Sequence, residues 1–350
     1  MNERKIKILI IEDSVMVQKV LQDILKKNAR FEIIGIASDP YIAAKKIANE
    51  VPDVITLDIE MPRMNGLTFL KKLMRQHPIP VVVISSLTED RSDVAIKALE
   101  LGASEVINKP RLTSKKEVEE YQIRIGDAVI AAAKQKSGYM SIFPSGNLNE
   151  VVSTSERSVS TKSQRNKIIA IGASTGGVEL ISDIIQHLRN DLPPIVIVQH
   201  MPGEFTRAFA KRLNQDSDLT VKEAEQSEIL KIGHVYIANG DFHLVVKERA
   251  NDYVCELVNG ELVNRHRPSV DVLFESLTRI KGRFMGVLLT GMGKDGARGL
   301  LELKEKGAVC IAQNEESSVV FGMPKEAIQL GAAEFVGDPL QIINWINNFA

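Results

Sequence analysis

The sequence predicts an α/β protein of two domains, each an open, mostly parallel sheet wrapped by helices, with a small antiparallel section in the second. Three observations carry this reading. Short β-branched runs alternate with longer stretches of helical period, the pattern of a parallel sheet covered by helices. The alternation stops near residue 137 and restarts at Lys167, and the segment 137–165 between holds eight serines with Thr, Asn and Gly and no sustained periodicity. That is the composition of a linker. Finally, 350 residues, at roughly 150 per domain, suffice for two domains that each bury a core without disulfide or metal staples. The expected boundaries are therefore a first domain over 1–136, a linker over 137–165 and a second domain over 166–350.

Taken in order, Ile6–Ile11 reads as a strand, Val15–Lys27 and Pro40–Glu50 as helices, and Asp53–Leu57, Val81–Ile84 and Glu105–Ile107 as further strands. The second domain opens with a strand at Ile168–Ile171 and a helix running to about Leu188. It continues through strands at Ile195–Val198, Phe284–Leu289 and Val309–Ile311. Between them, Val235–Ile237, Leu244–Val246 and Tyr253–Leu257 are separated by Asn239-Gly240 and Asn251-Asp252 turns, so the section from Lys231 to Val263 is expected to be antiparallel. No period of 20 to 50 residues points to a solenoid.

Composition removes several function classes. The chain has 44 Lys+Arg against 45 Asp+Glu, a net charge of −1, without the basic excess that nucleic-acid binding requires. Cys255 and Cys310 have neither a CxxC spacing nor a nearby His, so neither a disulfide framework nor a zinc site is indicated, and both read as buried thiols in a reducing compartment. The first strand lacks the features of a signal peptide, and no apolar run approaches the roughly 20 residues that span a bilayer. The expectation is a cytoplasmic protein that inserts into no membrane.

In the first domain the chemistry gathers at strand ends. The first strand runs into Glu12-Asp13, the third into Asp58, the fourth into Ser85 and the fifth into Lys109. In an open parallel sheet the carboxyl edge is where ligands bind, so three carboxylates, a hydroxyl and a lysine converge there. A hard cation such as Mg²⁺, bound by Asp13, Asp58 and the backbone carbonyl near Glu60, would neutralise the cluster and leave coordination positions for a phosphoryl group. Asp58 would then be the nucleophile, with Ser85 and Lys109 binding the oxygens of its acyl phosphate. Taken singly, Glu12-Asp13 reads equally well as a helix cap and Lys109 as an exposed charge. Together, the five positions make this stretch resemble the receiver domain of two-component response regulators over roughly residues 5 to 130. The resemblance implies a flavodoxin-like fold, Mg²⁺-dependent phosphorylation of Asp58, and Glu12, Asp13, Asp58 and Glu60 as the metal-holding group. Two departures are Val106, where receivers often carry a switching aromatic, and Asn65, where Asp is frequent.

In the second domain, Gly172-Ala-Ser174-Thr-Gly176-Gly177 follows the first strand and opens a helix. Glycines around a serine permit a sharp strand-to-helix turn that exposes its oxygen, but such a turn also cradles dinucleotide phosphates. Two observations disfavour the dinucleotide. The next strand ends in Gln199-His200 rather than an acid that would hold a ribose hydroxyl, and a later strand runs into Thr290-Gly-Met-Gly-Lys-Asp295-Gly. Ser174, His200 and Asp295 thus supply a nucleophile, a base and an orienting carboxylate at three strand ends. Their chain order differs from the Ser…Asp/Glu…His of α/β-hydrolases. Read one by one, Ser174 is also a possible N-cap, Asp295 a turn former, and His187, His234, His243 and His266 show that histidine alone is not diagnostic.

Ile171-Gly-Ala-Ser-Thr-Gly-Gly, Gln199-His-Met-Pro, Phe205-Thr-Arg-Ala-Phe-Ala and Thr290-Gly-Met-Gly-Lys-Asp-Gly-Ala resemble the catalytic domain of the CheB chemotaxis methylesterases. Tyr236-Ile-Ala-Asn-Gly-Asp-Phe-His243 and Arg265-His-Arg-Pro-Ser-Val-Asp271-Val-Leu-Phe extend the likeness over roughly residues 166 to 348. The resemblance implies a doubly wound methylesterase domain with Ser174 as nucleophile, His200 as general base, Asp295 as its partner, and backbone N–H groups near Thr175 and Met292 as oxyanion donors. It implies hydrolysis of γ-glutamyl methyl esters on chemoreceptors, with deamidation of receptor glutamines by the same acyl chemistry and no cofactor for either reaction. It further implies a chemotaxis histidine kinase as phosphodonor and a monomer, and a receiver joined to a catalytic domain by a Ser-rich segment motivates the expectation that the unphosphorylated receiver packs over the Ser174 cleft until Asp58 is phosphorylated. The alternative is a catalytically silent adaptor that binds kinase and receptors.

Overall fold

A computed structural model describes residues 4–61, 63–86, 92–109, 115–134, 166–250 and 252–349. The Ser-rich segment 137–165, Pro110 and Asn251 lie outside the described residues. The chain divides into two compact units, the break falling at residue 138.

The first unit alternates β1 (Ile6–Ile11), α1 (Val15–Leu25), β2 (Phe31–Ala37), α2 (Pro40–Asn49), β3 (Val54–Leu57), α3 (Gly66–Gln76), β4 (Val81–Ser85), α4 (Ser92–Glu100), β5 (Glu105–Asn108) and α5 (Lys115–Lys134). Its five strands lie in the order β2-β1-β3-β4-β5, all pairs parallel. β3 and β4 are buried at every residue, which is why they read as unbroken apolar runs rather than alternating ones. Pairing of Ile11 with Leu57 puts Glu12 and Asp58 level with each other at the carboxyl edge. Pairing of Ser85 with Asn108 brings Lys109 to the same edge.

The second unit begins with β6 (Lys167–Ala173), α6 (Gly177–Gln186), β7 (Ile195–Gln199), α7 (Gly203–Gln215), β8 (Thr220–Glu223) and β9 (His234–Ile237). A hairpin of β10 (His243–Arg249) and β11 (Asp252–Val258) precedes α8 (Val270–Leu277). The chain closes through β12 (Arg283–Leu288), α9 (Ala297–Glu305), β13 (Val309–Gln313), α10 (Met323–Gln329), β14 (Phe335–Gly337) and α11 (Pro339–Asn348). Seven strands form one parallel sheet in the order β14-β13-β12-β6-β7-β9-β8.

One sequence expectation is corrected here. Val235–Ile237 does not join an antiparallel section; it is β9 of the large sheet, parallel to both β7 and β8. Its three residues are fully buried, as an internal strand of a parallel sheet requires. The antiparallel part is the β10–β11 hairpin, to which Ile229 adds an antiparallel bridge at Val254. The period-2 alternation of the large sheet sends Ile168 and Ala170 of β6 and Val196 and Val198 of β7 into one buried cluster with Phe274 and Leu277 of α8 and Leu300 and Leu303 of α9. Each large apolar side chain so buried stabilises the fold by about 1.5–3 kcal/mol. The hairpin buttresses α8 through the Val246 N–H, which donates to the Ser276 hydroxyl at 3.0 Å.

Candidate functional sites at the two sheet edges

At the edge of the first sheet, Glu12, Asp58 and Ser85 are buried and Asp13 is exposed. The Lys109 ammonium donates to Asp58 Oδ2 at 2.8 Å and to Glu12 Oε1 at 2.9 Å. Burial is the main force raising the Glu12 and Asp58 carboxyls above their usual range, with Lys109 opposing it in both. Burial alone would lower Lys109, but its hydrogen bonds to the two acids outweigh this and raise it. The pair at the heart of the cluster is thus two acids sharing one lysine. The Ser85 hydroxyl lowers Asp58 by its proximity yet makes no hydrogen bond of good geometry among the described residues. Oxygens of Glu12, Asp13 and Asp58 lie within 4.8 Å of one another, a hard-donor set of the kind Mg²⁺ takes. The Glu60 N–H donates to Asp58 Oδ1 at 3.2 Å, holding that carboxyl at the loop.

Of these acids, Glu12 reaches the entrance of α1, its Oε1 accepting from the Ser14 N–H at 3.2 Å, but none is the cap. Ser14 is the N-cap of α1, accepting from the Val17 N–H at 3.5 Å. Asn65 caps α3 by accepting from the Leu67 N–H at 2.8 Å, so Asn in place of Asp costs the loop nothing in capping. Beside it, a Cβ on Gly66 would stand 2.4 Å from the Asp58 carbonyl oxygen and 2.7 Å from Ile59 Cα. The loop after β3 therefore closes over Asp58 only with glycine at 66.

At the edge of the second sheet, Ser174, His200 and Asp295 follow β6, β7 and β12, three strands adjacent in the order β12-β6-β7. β6 first sends neighbours out on the β7 side and later on the β12 side, so its end is the topological switch point where open α/β sheets bind ligands. The turn carrying Ser174 needs its glycines. Gly176 has φ 77°, and a Cβ there would meet Val319 at 2.5 Å, while one on Gly172 would meet Val270 Cγ1 at 2.2 Å. Gly176, not Ser174, is the N-cap of α6, so the serine side chain is not the helix cap. The Ser174 N–H donates to the Thr290 carbonyl at 3.0 Å, and its own carbonyl accepts from Gln199 Nε2 at 2.9 Å. Thr290 Oγ1 donates to the Thr175 carbonyl at 3.0 Å. A Cβ on Gly291 would stand 2.8 Å from Ser174 Cβ. The backbone at Thr175 and the loop bearing Met292 thus lie on either side of the serine.

His200 Nε2 lies 2.9 Å from Asp295 Oδ2, and the ring's Nδ1 is buried with no hydrogen-bond partner among the described residues. Asp295 sits in a turn closed by the Ala297 N–H on the Lys294 carbonyl at 3.1 Å, but its side chain is spent elsewhere. Its Oδ1 accepts from Ser269 Oγ at 2.7 Å and Asn264 Nδ2 at 2.8 Å, and its Oδ2 also accepts from the Val270 N–H at 2.6 Å. Burial would raise this carboxyl, but the His200 ring and the Asn264 and Ser269 donors outweigh it and hold the group well below the usual carboxylate range. Asp295 is therefore a fixed negative charge that holds the proton of His200 on Nε2 and leaves Nδ1 as a lone-pair acceptor.

The Arg265–Phe274 stretch carries part of the family likeness, but the sequence shows neither the role of its residues around this pair nor that of Asn264. His266 stacks on His200, ring centroids 3.8 Å apart and 9° from parallel, and Asn264, Ser269 and the start of α8 supply donors to Asp295. The available signal was Ser269 before Val270–Leu277, an N-cap ahead of an apolar run.

Two family models match the chain: CheB methylesterase over residues 169–346 and response regulator receiver domain over residues 8–118. The protein-glutamate methylesterase/protein-glutamine glutaminase 3 of Geobacter metallireducens is 48% identical over 340 residues, covering 95% of this chain and 96% of that protein. The protein-glutamate methylesterase/protein-glutamine glutaminase of group 3 operon of Rhodopseudomonas palustris is 45% identical over 363 residues, covering 99% and 97%. The crystal structure of the Thermotoga maritima CheB methylesterase catalytic domain is 43% identical, with a TM-score of 0.52, and covers 53% of this chain and 99% of its own.

Proposed function

The chain belongs to the CheB methylesterase family, with a response regulator receiver domain ahead of its catalytic domain, and from that premise we propose that it is a phosphorylation-regulated protein-glutamate methylesterase and protein-glutamine glutaminase of chemotaxis. Its substrates are methylated or amidated glutamyl side chains of chemoreceptors, and its phosphodonor is a chemotaxis histidine kinase. The observation that carries the catalytic half is the His200–Asp295 pair at 2.9 Å with the opposite ring nitrogen buried and without a hydrogen-bond partner among the described residues, one strand away from Ser174.

In this reading His200 Nδ1 takes the Ser174 proton as Oγ attacks the γ-carbonyl carbon, and Asp295 stabilises the imidazolium that forms. Backbone N–H groups at Thr175 and Met292 receive the oxyanion. Collapse breaks the C–OCH₃ bond, the imidazolium returns its proton to the leaving oxygen, and methanol departs. Water, deprotonated by the same nitrogen, then cleaves the glutamyl–Ser174 ester and restores the enzyme. A glutamine substrate follows the same path with ammonia as leaving group.

In the receiver, Asp58 is the proposed phosphoacceptor. Its oxygens, with those of Asp13, Glu12 and the carbonyl at Glu60, suit a Mg²⁺ ion, which when bound neutralises charge on the incoming phosphoryl group. Lys109 holds Asp58 from the other side, and Ser85 stands ready to meet a phosphoryl oxygen.

The test is methanol release from methylated receptor fragments, with and without a small-molecule phosphodonor and Mg²⁺. Wild type is expected to be active and stimulated by the phosphodonor, Asp58→Asn active without stimulation, and Ser174→Ala silent under all conditions. Turnover that survives in Ser174→Ala overturns the assignment of the nucleophile.

A further inference from the structure

We propose that Asn264 is a positioning residue for this site: its side-chain amide, clamped by Asp271, holds the Asp295 carboxylate in the orientation that offers Oδ2 to His200. The inference rests on the esterase reading above and goes beyond it. The amide nitrogen lies 2.8 Å from Asp295 Oδ1 and 2.6 Å from Asp271 Oδ2. Only the NH₂ end of an asparagine can face two carboxylates, and its two hydrogens serve one each. Rotation of the amide would break both bonds at once. Asp271 is itself fixed, since its Oδ1 accepts from the Gly299 N–H at 2.7 Å.

The backbone is shaped for this task. Val263 and His266 exchange N–H···O bonds of 3.0 and 2.9 Å around a two-residue turn, and its central residues, Asn264 and Arg265, have φ of 51° and 71°. Asparagine tolerates that left-handed conformation better than most residues. The same turn aims Asn264 at Asp295 and lays His266 flat on the His200 ring. One short turn thus braces the carboxylate and the imidazole together.

The titratable and charged groups bearing on the pair come from two elements, α8 and the turn. Asp271 acts on Asp295 from α8, His266 stacks on His200 from the turn, and Glu275, a turn further along α8, acts on Asp271. Burial pushes the Asp271 carboxyl up to about 6, with the Asp295 charge adding to it. Asn264→Gly dismantles the clamp, whereas Asp271→Asn keeps an oxygen that can accept from Asn264 and removes only the charge, and the two have opposite electrostatic effects. Asn264→Gly permits the left-handed turn and deletes a donor to Asp295, concentrating negative charge on it and favouring protonated His200. Asp271→Asn deletes a negative charge nearby and disfavours protonated His200.

The experiment measures methanol release by the full chain against pH, with melting curves to confirm folding and with wild type and Ser174→Ala as controls on the esterase reading. Asn264→Gly is expected to lower kcat about tenfold, the loss of roughly one charge-assisted hydrogen bond, with KM unchanged and the acidic limb moved to higher pH. Asp271→Asn is expected to move that limb to lower pH as a control on the charge, and Asn264→Ser, too short to reach both carboxylates, keeps the test decisive should Asn264→Gly fail to fold. A kcat within twofold of wild type, or a fall in kcat with both limbs unmoved, overturns the proposal. Imidazole NMR provides a readout independent of turnover: His200 held as the Nε2–H tautomer in wild type and mixed in Asn264→Gly supports it, and an unchanged single tautomer in the variant overturns it. Should wild type release no methanol, the esterase reading fails while the NMR result still decides the role of Asn264.

Discussion

Lys109 shows how much one side chain holds in the receiver. Its ammonium is the cation shared by Glu12 and Asp58, both of them buried acids. Replacing it with methionine leaves two uncompensated carboxylates, and removal of one partner from such a buried cluster costs about 3 kcal/mol. The sign with pH follows from the acids. Burial already raises both above their usual range, and without Lys109 they rise further. A raised acid in the folded state destabilises it above that folded value and costs nothing once pH falls below the unfolded one. The Lys109→Met deficit in urea-measured stability is therefore expected to be largest at neutral and higher pH, to shrink as pH approaches 4, and to be relieved by Mg²⁺ at pH 7. A deficit independent of pH would locate the effect in packing instead.

At the scale of elements, the contact between β6 and the start of α8 decides whether the esterase site can form. A Cβ on Gly172 would stand 2.2 Å from Val270 Cγ1, and Val270 is the residue whose N–H reaches Asp295. Gly172→Ala is expected to cost about 1–3 kcal/mol through overpacking and to lower turnover by displacing that donor. Adding Val270→Ala, a change that by itself leaves a cavity, is expected to recover most of the lost turnover, measured as a double-mutant cycle with coupling of opposite sign to the single losses. This packing also marks the limit of what the sequence made legible. Unbroken runs such as Val54–Leu57 and Ile195–Val198 announced buried parallel strands, and the strand ends announced Asp58, Ser174, His200 and Asp295. Short edge strands such as Thr220–Glu223 and Phe335–Gly337 have too few apolar residues to register, and Val235–Ile237 lies beside turn signals that point to a hairpin, while its full burial shows only in the fold. Asn264 and His266 escaped because their turn has no periodicity and meets its partners only in three dimensions.

Over the whole molecule, each unit has its own sheet and its own buried core. The oxygens that suit Mg²⁺ all belong to the first unit, so the ion is expected to raise one calorimetric transition and leave the other in place. At a hundredfold excess over its dissociation constant, binding contributes about 2.7 kcal/mol, a shift on the order of 10 °C for a unit of this size. Asp58→Asn is expected to reduce that shift, and a shift of both transitions together would mean that the units unfold as one. The order of strands around β6 has a last consequence, for the chain while it is being made. A ribosome delivers Ser174 and His200 on neighbouring strands well before β12 and the loop bearing Asp295 emerge, and the turn holding Asn264 arrives between them. Until then the growing chain carries a serine and an imidazole without the carboxylate that fixes the ring's proton. On the proposed assignment, the hydrolase stays inert until synthesis has passed Asp295, so a fragment that stops before that residue lacks the carboxylate of the triad.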